Sequence, residues 1–207
     1  DESLMAWKNS TRHKPLLLRG ARQVGKSSSV RHLAKQFDNF VEINFERKPA
    51  YLEIFKGDRD AKHIVEMIKS ITGEPIVPGK TLLFFDEIQM CQEAISSLRF
   101  FWEDMPGLHV IAAGSLLEFA LSEIPTFGVG RIHSMFMYPM SFDEFLNALG
   151  MFSLQKYKRE ASPEKPLLSA LHEQLVSLFR TYLMVGGMPE SVSTWVDTHS
   201  YVECQAV

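Results

Sequence analysis

Strands alternating with helices through the first two thirds of the chain, then helices alone, predict a three-layer α/β/α fold with a mainly parallel five-stranded sheet, followed by a small helical lid. Three observations carry that expectation. Five short apolar or alternating runs are separated by helix-permissive stretches, a glycine-rich turn closes the first run, and from Ser141 onward only helical patterning continues. The predicted division is residues 1–140 for the core and 141–207 for the lid.

Taken in order, residues 1–10 read as a helix, Pro15 to Arg19 as the first strand, and Lys26 to Phe37 as the helix that follows. Phe40-Val41-Glu42-Ile43-Asn44-Phe45 alternates into a second strand, and Ile64, Val65, Ile68 and Ile71 recur at helical spacing. The turn Pro78-Gly79-Lys80 introduces a third strand, Thr81 to Phe85; Cys91 to Asp104 is a helix. Leu108 to Ala113 is a fourth strand running into Gly114-Ser115, Leu116 to Leu121 begins a helix, and Ser134 to Tyr138 is the fifth strand. In the lid, Phe142, Phe145, Leu146 and Leu149 share a helical face, and Leu167 to Met184 forms a longer helix. Gly186-Gly187-Met188-Pro189 breaks the pattern before a last amphipathic piece through Trp195, and the charged stretch Lys156 to Lys165, interrupted by Pro163, reads as a solvated loop.

Chemistry concentrates at the carboxyl ends of these strands, where an open parallel sheet binds its ligands. Gly20-Ala21-Arg22-Gln23-Val24-Gly25-Lys26-Ser27 spells G-x-x-x-x-G-K-S between the first strand and the first core helix. In a P-loop of this kind the backbone N–H groups, through Ser28, turn inward around phosphates, Lys26 reaches the terminal phosphates, and the Ser27 hydroxyl suits Mg²⁺. The third strand ends in Asp86-Glu87, which reads as a Walker B pair: Asp86 on the metal side, Glu87 as the base that activates water. The plainer alternative has both acids capping the helix that follows.

Bulk properties narrow the classes. The chain has 207 residues, 45% hydrophobic and 23% charged, enough for a full core, and its formal net charge of −3 lacks the basic footprint of a phosphate-backbone binder. Cys91 and Cys204 match neither a zinc spacing nor a disulfide scaffold, which suits a reducing compartment. With no leader pattern and no membrane-length apolar run, a cytoplasmic protein is expected; the first residue and the C-terminal stretch read as cut from something longer. No N-K-x-D guanine-reading motif, G-x-S-x-G elbow or H-E-x-x-H pair occurs. A small-molecule kinase fits less well, since an Asp-Glu strand end suits water activation.

The order of "GARQVGKS", "LLFFDEIQ", "HVIAAGSLLEFAL", "GRIHSMFMYPMSFDEFL" and "YLMVGGMPESV" resembles a prokaryotic group of AAA+ ATPases whose longer chains end in a nuclease-like domain of unknown function. The resemblance spans Trp7 to Val196 and implies a P-loop NTPase core that uses ATP and Mg²⁺, with catalytic roles for Lys26 and Glu87. It further implies a γ-phosphate sensor on the fourth strand, Ser115 or His109, and an arginine finger or sensor at Arg131, acting in cis or across a self-associated pair. It also places Pro189 of the lid near the nucleotide and a polar group, Glu46, beside the site. The partner on which the whole protein acts, DNA or protein, stays open.

Overall fold

The computed structural model describes residues 2–57, 60–115, 117 and 130–207. Its core elements run α1 Glu2–Lys8, β1 Leu16–Arg19, α2 Lys26–Ala34, β2 Asn39–Asn44, a 3₁₀ turn Pro49–Phe55, α3 Ala61–Thr72, β3 Thr81–Asp86, a 3₁₀ turn Ile88–Met90, α4 Gln92–Asp104, β4 His109–Ala113 and β5 His133–Phe136. The sheet has the order β2-β3-β4-β1-β5, and every neighbouring pair is parallel. The fold is a P-loop type α/β sandwich.

Why these residues form this sheet follows from burial. Every residue of β3 and β4 is buried, as a strand covered on both faces requires, so both read as continuous apolar runs. Their alternate residues feed different layers. Leu17, Ile43, Leu83, Phe85, Val110 and Ala112 pack with α3 and α4, while Leu16, Leu18, Leu82, Phe84, Ile111 and Ala113 pack with α1 and α2. Asp60 caps α3, its carboxylate accepting from the Lys62 N–H at 2.8 Å, and Gly73 ends that helix in the left-handed region at φ 74°.

The chain divides into two compact units, Asp1–Met137 and Tyr138–Val207. The second contains α5 Phe142–Ala148, α6 Phe152–Glu160, α7 Ser169–Val185, α8 Pro189–Thr198 and α9 Tyr201–Gln205. Ser141 and Glu144 form a capping box at the start of α5. Phe145, Val185, Val192 and Cys204 make one small core of this unit, and Leu146, Leu154 and Leu175 another.

One expectation changes. The stretch expected as a solvated loop from Lys156 is helical as far as Glu160, because Leu154 is buried one turn earlier and Lys158 pairs with Asp143 at 2.7 Å. The Pro49–Phe55 turn was not anticipated; it buries Tyr51, Ile54 and Phe55. The helix expected from Leu116 to Leu121 lies, apart from Leu117, outside the described residues. No helix among the described residues is long and apolar enough to cross a membrane.

Candidate nucleotide site

The glycine-rich loop leaves β1 at Arg19 and enters α2 at Lys26. Gly20 sits at φ 146°, where a Cβ would collide with the Met137 carbonyl oxygen, so glycine is required there on both counts. Gly25, at φ 94° and ψ 13°, turns the chain into α2. That helix has no acid in its first turn and no side-chain cap, which leaves its leading N–H groups for an anion. Gln23 holds φ 62° within the loop.

Lys26 is buried, and its ammonium folds back on the loop, donating to the carbonyls of Gly20 at 3.0 Å and Ala21 at 2.6 Å. Burial lowers its pKa from the ordinary lysine value, while Glu87 and then Asp86 pull it back up. These carbonyls hold the ammonium where phosphate oxygens would compete for it.

Asp86 ties the two motifs together. Its Oδ1 accepts from the Ser27 hydroxyl at 2.9 Å and from the Glu87 N–H at 3.2 Å; its Oδ2 accepts from Asn44 Nδ2 at 3.1 Å and lies 3.7 Å from Arg31. Burial raises the Asp86 pKa above the usual carboxylate range, against the opposing Ser27 hydrogen bond. A hydroxyl and a carboxylate oxygen so paired are hard donors of the kind Mg²⁺ takes, so the residues fit that ion.

Glu87 adopts φ 53° and ψ 43°, a left-handed conformation that costs a non-glycine residue on the order of 1 kcal/mol. Its Oε2 accepts from Gln89 Nε2 at 2.5 Å. Neither acid caps α4: a 3₁₀ turn intervenes, and the residue before α4 is Cys91, which makes no side-chain cap bond. The capping alternative is therefore set aside.

Ser115 is buried just past β4, which lies between β1 and β3 with Ala113 opposite both Leu18 and Asp86. It stands at the same sheet edge as the P-loop. His109, the other sensor candidate, does not. It starts β4 at the amino edge opposite Leu82, its Nε2 bonded to the Lys8 carbonyl and its ring stacked 3.7 Å from that of His13. Arg131 also lies at the amino edge, before β5, and its Nε pairs with Glu103 Oε1 at 2.7 Å. Within one chain the length of β5 separates it from the P-loop edge, so the fold does not bring it to Lys26. Glu46 pairs loosely with Arg22 of the P-loop, 3.8 Å apart at the surface. Pro189 opens α8 in the second unit.

Two contributors escaped the sequence reading. Asn44 reaches Asp86 only because the β2–β3 register sets the two opposite each other, and Arg31 is locked there by two hydrogen bonds to Glu42, at 3.0 and 2.7 Å. The only sequence sign of Asn44 was a polar residue near a strand's end.

Fold and loop together define a P-loop nucleotide-binding domain. The chain belongs to the AAA domain family, whose model matches residues 12–146. Among solved structures it is similar to a Walker-type ATPase of Pyrococcus abyssi, at 18% identity and a TM-score of 0.57, covering 100% of this chain and 69% of that one. It is also similar to PCH-2 of C. elegans, at 13% identity and a TM-score of 0.50, covering 99% of this chain and 63% of that one. No curated protein matches the chain.

Proposed function

We propose that this AAA domain binds Mg·ATP in the loop from Gly20 through Ser28 and hydrolyses it. The observation that carries the proposal is the Ser27–Asp86 hydrogen bond, which joins the phosphate loop to the acidic strand end beside Lys26 and Glu87. Bound Mg²⁺ would supply neutralisation of phosphate charge, with Ser27 and Asp86 as its holders. Lys26 exchanges its two loop carbonyls for phosphate oxygens. Glu87 takes a proton from the attacking water as the water oxygen bonds to the γ-phosphorus and the bond to the β–γ bridging oxygen breaks, giving ADP and phosphate. Ser115 orients the γ-phosphate from the end of β4.

Arg131 completes the charge balance from a neighbouring copy, since its own chain holds it at the other sheet edge. That placement favours a second reading too: a nucleotide-gated switch that turns over little until a second copy joins. On the family resemblance, turnover drives motion in a larger protein, with a C-terminal nuclease-like domain and a DNA or protein partner.

Nucleotide binding and phosphate release, measured over a range of protein concentrations, test the reading. Wild type should bind and hydrolyse, Glu87→Gln should bind and stall by a factor of about 10² or more, and Lys26→Ala should lose binding. Equal ATP affinity in all three would remove the P-loop assignment; binding without turnover at any concentration would leave the switch.

A further inference from the structure

We infer that Gln89 is a positioning residue that sets the Glu87 carboxylate against the end of β4, and so aligns the base with Ser115. The inference rests on the hydrolytic reading of Glu87. Its geometry is independent of that reading.

Glu87 stands in a left-handed conformation outside any strand, so its own backbone does not fix where the carboxylate points. Gln89 Nε2 holds one carboxylate oxygen, Oε2, from two residues further on, which leaves Oε1 to accept from water. The other end of the same amide, Gln89 Oε1, is buried with no hydrogen-bond partner among the described residues. It occupies the space over Gly114 where a Cβ would otherwise stand, since a Cβ built there collides with that oxygen. One amide thus touches the base with its nitrogen and the residue before Ser115 with its oxygen. The absence of a side chain at Gly114 makes room for it; no left-handed φ demands glycine at that position. A displacement of β4's end on nucleotide binding would move the amide, and the amide would move Glu87.

Gly114→Ala offers a way to displace the amide without touching Gln89, because the colliding atom is the far end of a flexible side chain. The experiment measures kcat, KM and ATP affinity for wild type, Gln89→Ala, Gln89→Glu and Gly114→Ala, for Gln89→Ala combined with Gly114→Ala, and for Gln89→Ala combined with Glu87→Gln. Thermal unfolding confirms that each variant folds. Gln89→Ala and Gln89→Glu should lose about tenfold or more in kcat while ATP affinity stays within about twofold, because misplacing a catalytic group costs rate rather than binding. Gly114→Ala should reproduce that loss, and the two substitutions together should cost no more than Gln89→Ala alone. In the Glu87→Gln background, Gln89→Ala should add nothing. Losses that multiply in that background, or a change in affinity with kcat intact, would overturn the inference and leave the hydrolytic reading standing. A wild-type chain with no turnover at any concentration would remove both together.

Discussion

His109 is held neutral in the folded chain because burial lowers its pKa to about 4, with the neighbouring His13 and Lys8 opposing its charge as well. Trp7 and Phe37 pack edge-on against the same ring. The unfolded chain protonates this residue near the ordinary histidine value of about 6.5, so between pH 6.5 and 4 the unfolded state binds the extra proton. Stability is therefore lost as pH falls through that window, by roughly 3–3.5 kcal/mol at most from this residue. Asp86 has the opposite sign: with its pKa raised, stability declines as pH rises from the unfolded carboxylate value through the folded one. His109→Phe keeps the ring and removes the titration, so denaturant unfolding at pH 7, 5.5 and 4.5 should show a shallower acid loss in the variant. Parallel slopes in both proteins would assign the acid loss elsewhere. Nucleotide affinity should hardly change, since His109 stands at the sheet edge away from the P-loop.

At the level of elements, β3 places the chemistry because it is buried on both faces. Phe85 is fully buried and meets Phe45, Phe55 and Phe101 with ring centroids 5.5–6.2 Å away. Phe85→Ala should cost about 3–5 kcal/mol by equilibrium denaturation, while Ser141→Ala, which opens the capping box of α5, should cost about 1 kcal/mol. A smaller loss for Phe85→Ala than for Ser141→Ala would contradict the assigned core. The same physics explains which elements were legible in the sequence. β1, β3 and β4 are apolar runs because both faces are covered, and the P-loop shows itself through glycines that backbone geometry demands. Pro49–Phe55 was hidden because Pro49 reads as a breaker, although Tyr51, Ile54 and Phe55 do fall on one buried face. α6 was hidden because its charged end outweighs the one buried leucine, Leu154. Asn44 and Gln89 act through register and through a turn between elements, and neither leaves a periodic trace. Of the residues nominated from the resemblance, Ser115 stands at the P-loop edge and His109 and Arg131 at the other, a distinction that only strand direction makes.

On the scale of the whole molecule, the placement of Arg131 turns a question of charge into one of assembly. A chain acting alone brings Lys26 to the phosphate loop, whereas Arg131 is turned to Glu103 at the amino edge, its side chain half exposed. An arginine serving the proposed reaction from there must serve a neighbour's nucleotide, and a guanidinium contributed in trans is worth a large factor in phosphoryl transfer. Two crippled chains should then rescue one another. Glu87→Gln retains the arginine and lacks the base; Arg131→Ala retains the base and lacks the arginine. Each alone should release phosphate slowly, and an equimolar mixture should exceed the sum of the two, because some interfaces pair an intact base with an intact arginine. The gain should grow with total protein concentration and vanish on dilution below the association range. A mixture that equals the sum of its parts at every concentration, with Arg131→Ala as active as wild type, would make the arginine a surface partner of Glu103 and nothing more. Glu103→Ala separates the remaining cases: it frees Arg131 without removing it, so turnover at high concentration should hold or rise.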